Sequence, residues 1–275
     1  MTIQPILVLG ATGKTGSRIA QRLEDKGLPV RRGSRGAAIP FDWNTPDTWD
    51  VVLADVSSVY ISYYPDIAVP GGVEAVSAFT EQAHAAGVGK IVLLTGRGEY
   101  HAQRAEEVVR NSGLPFTIVR AAWFAQNFSE GALHDPVMAG VLPMPGGDVQ
   151  EPIVDVDDIA DVAVAALADA GHDGETYEVT GPRLLTFAQM ADVLSAATGR
   201  QITHVPISFE DFHAALLAGQ GEMIADVLTA IARETLDGRN ATLADGVQRA
   251  LGRAPRDFAT FADAGVRSGN WAEAA

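Results

Sequence analysis

Ile6-Leu7-Val8-Leu9-Gly10-Ala11-Thr12-Gly13-Lys14-Thr15-Gly16 is the stretch on which the fold turns. Four apolar residues end at a glycine, and Gly10, Gly13 and Gly16 then recur as G-x-x-G-x-x-G. From Lys14 to Lys26 the residues Ile19, Ala20 and Leu23 share one helical face, and Gly27 supplies the stop. In a strand–glycine turn–helix unit the backbone comes close to a pyrophosphate and the helix N-terminus offers it free N–H groups. Gly10, Ala11, Thr12, Gly13, Lys14, Thr15 and Gly16 are therefore expected to form a dinucleotide site. Gly13-Lys14-Thr15 also suggests a triphosphate loop. That loop requires a glycine five positions before its second glycine, and here the position is Val8, inside the strand.

The same rhythm continues outward. Leu28-Pro29-Val30 opens a second strand, and Val59-Tyr60-Ile61 is a third, followed by a loop at Tyr63-Tyr64-Pro65. Val73 to Ala86 reads as a helix, Lys90 to Leu94 as a buried strand ending at Thr95-Gly96, Ala102 to Asn111 as a helix, and Phe116 to Val119 as a strand. Continuous apolar runs separated by helices predict parallel strands buried on both faces. After about residue 130 the rhythm changes. Leu142-Pro143-Met144-Pro145-Gly146-Gly147 reads as a loop. A helix follows from Asp157-Asp158, then a strand from Glu175 to Thr180, then a helix capped by Thr186 and running to about Ala197. The remainder is mostly helical, with a stripe of Met223, Ile224, Val227, Leu228 and Ile231. The expected architecture is α/β: a Rossmann-type, doubly wound parallel sheet over residues 1–150. Residues 151–275 form a smaller, mostly helical cap for the substrate, with 151–180 returning to the sheet.

Composition narrows the function. The 275 residues are 47% hydrophobic and 20% charged and contain no cysteine, which excludes disulfides, thiol nucleophiles and cysteine-based zinc sites. The histidines show no metal-ligand spacing, so no metal is expected. A net charge of −15 disfavours nucleic acid as a partner. MTIQPILVLG has no basic leader and no run approaches the roughly 18 apolar residues of a membrane span, so a cytoplasmic protein off the membrane is expected. A small-molecule substrate is the expected partner, with a homodimer left open.

The end of the second strand selects the dinucleotide. An acid there binds the ribose of NAD, whereas arginine pairs with the 2′-phosphate of NADP. Val30-Arg31-Arg32-Gly33-Ser34-Arg35 carries three arginines and no acid, so NADP(H) is favoured over NAD(H), with Ser34 and Arg35 at the phosphate. Asp42 and Trp43, after a short apolar run, are candidates to lie beside the adenine.

GATGKTG, SVYISYYPD, Ser112 to Phe128, Glu151 to Ala163, Gly171 to Arg200 and Ala250 to Arg256 together resemble the NmrA-like proteins, atypical members of the short-chain dehydrogenase/reductase superfamily. Within that family the chain is most similar to the ergot-alkaloid reductases of the agroclavine and festuclavine type. The resemblance spans nearly the whole chain. It implies a Rossmann domain, a small C-terminal substrate domain and an active cleft between them. Ser62, Tyr63 and Tyr64 would border the cofactor, and Thr95, Gly96 and Arg97 would lie near the nicotinamide. One departure stands out. The superfamily's Tyr-x-x-x-Lys pair falls by spacing on Gly98 and Ala102, neither of which transfers a proton. Tyr100 and His101 are nearby, out of register, and with Arg97 are the candidate catalytic residues. Trp123, Phe124 and Phe128 are candidates for an aromatic substrate pocket.

A carbonyl reductase must protonate an alkoxide and needs a positioned acid. An iminium does not, and a quinone accepts hydride readily. The expectation is thus an NAD(P)H-dependent oxidoreductase acting on an iminium or quinone type of metabolite. Two alternatives stay open: an NAD(P)-binding redox sensor without turnover, and an aromatic-polyketide tailoring enzyme in which a reduced quinol reacts with oxygen.

Overall fold

The computed structural model describes residues 3–272. Its first half winds strand and helix alternately: β1 (Ile6–Leu9), α1 (Lys14–Asp25), β2 (Val30–Gly33), α2 (Trp49–Leu53), β3 (Ser58–Ile61), α3 (Gly72–Ala85), β4 (Ile91–Gly96), α4 (Tyr100–Arg110) and β5 (Phe116–Ala121). Two short helices follow, α5 (Asn127–Glu130) and α6 (His134–Met138), then β6 (Val141–Met144), β7 (Gln150–Glu151) and α7 (Val156–Ala168). The chain continues through β8 (Glu175–Val179), β9 (Leu185–Thr186), α8 (Phe187–Thr198), β10 (Thr203–Pro206), α9 (Phe209–Gln220), α10 (Glu222–Thr235), α11 (Gly246–Leu251) and α12 (Phe258–Arg267).

Six strands form one sheet in the order β2-β1-β3-β4-β5-β8, and every pairing in it is parallel. This is the Rossmann-type α/β sheet that the alternating pattern predicts. The strand order reverses direction beside β1, so a crevice opens between the carboxyl ends of β1 and β3, where open α/β sheets bind ligands. Both faces are covered. On one face Ile19, Ala20 and Leu23 of α1 and Ile159, Val162, Ala163 and Ala166 of α7 pack on the sheet. On the other lie Trp49, Val52 and Leu53 of α2, Val76 and Phe79 of α3, and Ala102, Ala105 and Val109 of α4. Burying each of the large side chains contributes about 1.5–3 kcal/mol. A separate core gathers Phe128 with Phe187, Met190, Leu194, Phe258, Phe261 and Trp271 of the C-terminal half.

Local chemistry sets the helix starts. Asp155 caps α7 by accepting from the Asp157 N–H, and Thr186 with Gln189 closes a capping box on α8. Ion pairs then clamp α7 to its neighbours. Arg22 of α1 reaches Asp157 and Asp161, and Arg253 and Arg256 both reach Asp158 and Asp161.

The structure corrects three details of the sequence reading. Leu142-Pro143-Met144 is not a loop but part of β6, which pairs in parallel with β10. Trp49–Leu53 is an unforeseen short helix that carries the buried Trp49 into the sheet's second face. In α10 the buried stripe is Ala225, Val227, Thr229, Ile231 and Ala232, whereas Met223 is 57% exposed.

Candidate active site

The glycine loop sits at the crevice. Gly10 has φ +67° and the Gly13 N–H donates to its carbonyl at 2.9 Å, which turns the chain sharply out of β1. A Cβ on Gly16 would fall 2.3 Å from the Gly10 oxygen, so only glycine lets α1 start this close beneath the turn. A Cβ on Gly10 would fall 3.3 Å from the Ser62 Cβ, which places Ser62 against the loop from β3. Gly13 caps α1 without a side-chain hydrogen bond, and the first turn carries no acid. The helix therefore presents open N–H groups beside exposed Thr12 and Gly13, an arrangement that fits a pyrophosphate. Ala11 and Thr15 are buried under the loop. Lys14 points away from the turn and donates to Asn127 Oδ1 at 2.8 Å. Burial draws its ammonium below the ordinary lysine range, against the opposing pull of Glu130.

At the end of β2 the three arginines separate in role. Arg31 donates to the carbonyls of Val52 and Ala54, and Arg32 is paired with Glu24 at 2.7 Å. Arg35 is exposed and makes no ion pair among the described residues. The Phe41 N–H donates to the Ser34 carbonyl at 3.0 Å, folding the 34–41 segment back beside β2. Asp42 accepts from Asn44 through its side chain and from the Trp49 indole through its carbonyl. Trp43 packs on Tyr63, with ring centroids 4.6 Å apart. Trp43 thus joins the segment after β2 to Tyr63 after β3, while Tyr64 is exposed.

At the end of β4, Thr95 turns its hydroxyl down to Glu106 at 2.9 Å. Arg97 is held by Glu178, by the carbonyls of Asn240 and Thr242 and by the Thr242 hydroxyl, so its guanidinium fastens the 240–242 loop to the sheet. Gly98 takes a left-handed turn at φ +81°, and Ala102 is buried under α4. Tyr100 is 60% exposed and His101 is also exposed. The three aromatic candidates diverge. Trp123 donates to Thr235 Oγ1 at 3.1 Å and packs with Tyr63, Val69, Val227 and Ile231, joining the segment after β5 to α10. Phe124 packs on the sheet and α7. Phe128 is 1% exposed in the C-terminal core, edge-on to Phe258. A groove of about 570 Å³ between α3 and α4 lies in the outer helical layer and takes no residue from the cluster around Trp123.

Four carboxylates escaped the sequence reading. Glu99 is 8% exposed, its Oε2 has no hydrogen-bond partner among the described residues, and its Oε1 lies 1.7 Å from where a Cβ on Gly96 would stand. Burial, then the charges of Asp66 and Glu234, hold the Glu99 carboxyl well above the usual carboxylate range. Its one sequence signal is a glutamate at a helix N-cap, where short polar side chains normally stand, with no cap bond made. Glu151 is fully buried with both oxygens unpartnered among the described residues, and burial pushes it up to about 7 although Arg97 opposes the shift. The native state therefore holds a proton on Glu151 that the unfolded chain releases near pH 4.5, so stability falls as pH rises from there through about 7. Glu151→Gln should accordingly gain about 3 kcal/mol over the native protein at pH 8.5 and almost nothing at pH 4, read by urea unfolding at both pH values.

The glycine cradle at the carboxyl ends of the parallel strands, with α1 starting beneath it, defines a dinucleotide-binding α/β protein. Comparison with known proteins agrees. The NAD(P)H-binding family model matches residues 10–170, and the NmrA-like family model matches residues 101–251. The protein belongs to the NmrA-like family and is an NAD(P)H-dependent oxidoreductase. It is 31% identical to an NAD(P)H azoreductase of Xenophilus azovorans, covering 94% of this chain and 97% of that protein. It is 29% identical to festuclavine dehydrogenase of Aspergillus fumigatus, covering 94% and 96%. The fold matches the NADPH complex of the quinone oxidoreductase QOR2 of Escherichia coli with a TM-score of 0.76, at 23% identity over 94% and 99% of the two chains.

Proposed function

We propose that the protein reduces electrophilic, conjugated acceptors of the quinone or iminium type, with NADPH preferred to NADH. The observation that carries this reading is the end of β4. The register positions of the superfamily's proton-transfer pair hold Gly98 in a left-handed turn and Ala102 in the core. No tyrosine–lysine pair there polarises a simple carbonyl, so the acceptor must bring its own electrophilicity. The names of the azoreductase, the festuclavine dehydrogenase and the quinone oxidoreductase are consistent with such acceptors.

The bound nucleotide supplies hydride, and the chain supplies place and surroundings. The glycine loop and the N-terminus of α1 hold the pyrophosphate. Ser34 and Arg35 take the 2′-phosphate, since Arg31 and Arg32 are already engaged. Val69, Val227 and Ile231 back the partly buried rings of Tyr63 and Trp123, whose faces would favour a flat acceptor.

Steady-state oxidation of NADPH tests the reading. A quinone, an azo compound and a cyclic iminium should be reduced, and a simple ketone should not. Equal turnover of the ketone, or turnover of none of them, contradicts it. The Arg35 assignment has its own test. Arg35→Ala should weaken NADPH binding about 10–100-fold, the value of one or two charge-assisted bonds, while NADH binding stays within about twofold. Calorimetric titration of both nucleotides reads the difference, and an equal loss for both would remove Arg35 from the phosphate.

A further inference from the structure

The Glu99 carboxyl has no structural use in the fold. It caps no helix N–H, makes no ion pair, and lies almost fully buried against Gly96, at the carboxyl end of the central strand β4. Three separate elements bring acids together here: Asp66 from the loop after β3, Glu99 from the turn after β4, and Glu234 from α10. The same loop and the same helix also provide Val69, Val227 and Ile231, which pack with Tyr63 and Trp123, so two of the acids and this apolar cluster are carried by the same two elements. Neighbouring carboxyls at a buried site cannot all ionise, and of these three only Glu99 has a buried oxygen with no hydrogen-bond partner among the described residues.

We propose that Glu99 is the acid that gives a neutral acceptor its proton once hydride has arrived; with no cation paired to it among the described residues, it does not polarise a simple carbonyl as a tyrosine–lysine pair does. The inference rests on the reductase reading above. With a quinone, hydride from NADPH forms a C–H bond on the ring and the displaced electron pair moves onto the quinone oxygen. That oxygen takes the proton from the Glu99 carboxyl, leaving a carboxylate that solvent reprotonates, and tautomerisation in water then gives the quinol. One NADPH and one proton are consumed per quinone, whereas an iminium or triarylmethane cation takes hydride alone.

The groups that face Glu99 favour a held proton. Asp66 is itself pushed above its ordinary range by burial, and its Oδ1 accepts only the Ala68 N–H. Glu234 accepts the Tyr100 N–H at 3.0 Å. The two nearby arginines are directed elsewhere. Arg239 binds Asp237, the Gly98 carbonyl and, at 3.6 Å, Glu234, while Arg97 binds Glu178, Asn240 and Thr242. Neither makes an ion pair with Glu99 among the described residues.

Two acceptors separate proton donation from other roles: menadione, a neutral quinone whose reduction needs a proton, and malachite green, a triarylmethane cation that hydride alone neutralises. Glu99→Gln should lower kcat for menadione on the order of 100-fold and abolish its fall at alkaline pH, while kcat for malachite green changes less than about threefold. Carboxyl-carbon NMR of Glu-labelled protein free of nucleotide, assigned by difference with Glu99→Gln, should show Glu99 titrating above the ordinary carboxylate range. Equal losses with both acceptors would make Glu99 structural, and a raised KM for malachite green alone would make it a cation-recognition group. Either result, or an ordinary titration, overturns the assignment. Those failures leave wild-type turnover intact, whereas a wild type inert to both acceptors overturns the reductase reading itself.

Discussion

Gly16→Ala is expected to weaken NADPH binding at least about 100-fold. The added carbon would sit 2.3 Å from the Gly10 carbonyl oxygen, more than an ångström inside contact distance, and that neighbour is backbone. Relief requires α1 to move away from the turn or the turn to open. Both displace the N–H groups of the first helical turn from the pyrophosphate, where they act only at close range. The overpacked site should also lose about 1–3 kcal/mol of stability, so binding is measured by calorimetry at a temperature where the variant is folded by circular dichroism. An unchanged affinity in a folded variant would mean that the glycine spacing does not form the cradle.

The second large effect is on stability. Asp158 is fully buried at the start of α7, where it accepts the Arg256 N–H at 2.6 Å and pairs with the guanidinium groups of Arg253 and Arg256. These contacts tie the 252–257 segment to the helix that covers the sheet. Asp158→Ala leaves the Arg256 N–H without its partner and the two guanidinium groups on Asp161 alone. Breaking a buried pair from one side costs about 3–5 kcal/mol. The arginine side chains keep 36% and 34% exposure, so water offsets part of that loss and about 3 kcal/mol is expected. Urea unfolding should show a lower midpoint with an unchanged slope. A midpoint within experimental error of the native protein would show that the cluster contributes nothing net.

The sheet was legible because its strands are buried on both faces. Ile6–Leu9, Ile91–Leu94 and Phe116–Val119 are continuous apolar runs, and few other structures hide such runs. The caps at Thr186 and near Asp157 were legible from local chemistry alone. β6 was not, because Pro143 within it lacks a ladder donor and Pro145 follows directly after it, and the strand pairs only with β10 in a two-stranded sheet. α10 misled for another reason. Its period was clear, but Met223 lies at the first turn, where the helix has not yet reached the core, and small residues such as Ala225 and Ala232 do the packing.

The site divided in the same way. The glycine loop and the β2 arginines declared themselves because their function needs residues adjacent in sequence. Which arginine remains available did not, since Arg31 and Arg32 find their partners only on folding. Arg97 looked catalytic by position, yet its partners come from β8 and from the 240–242 loop. Asp66, Glu99 and Glu234 carry no local pattern at all. Their meaning lies in a meeting of three distant segments and in the burial that meeting imposes.

The most direct test of the account is a single turnover. Protein loaded with one equivalent of NADPH is mixed with menadione near neutral pH, and nucleotide absorbance and quinol are followed together. The account predicts stoichiometric oxidation of the bound nucleotide with one quinol formed for each. Bound NADPH that persists unchanged in the presence of the quinone, and likewise with an azo compound and an iminium, would contradict it.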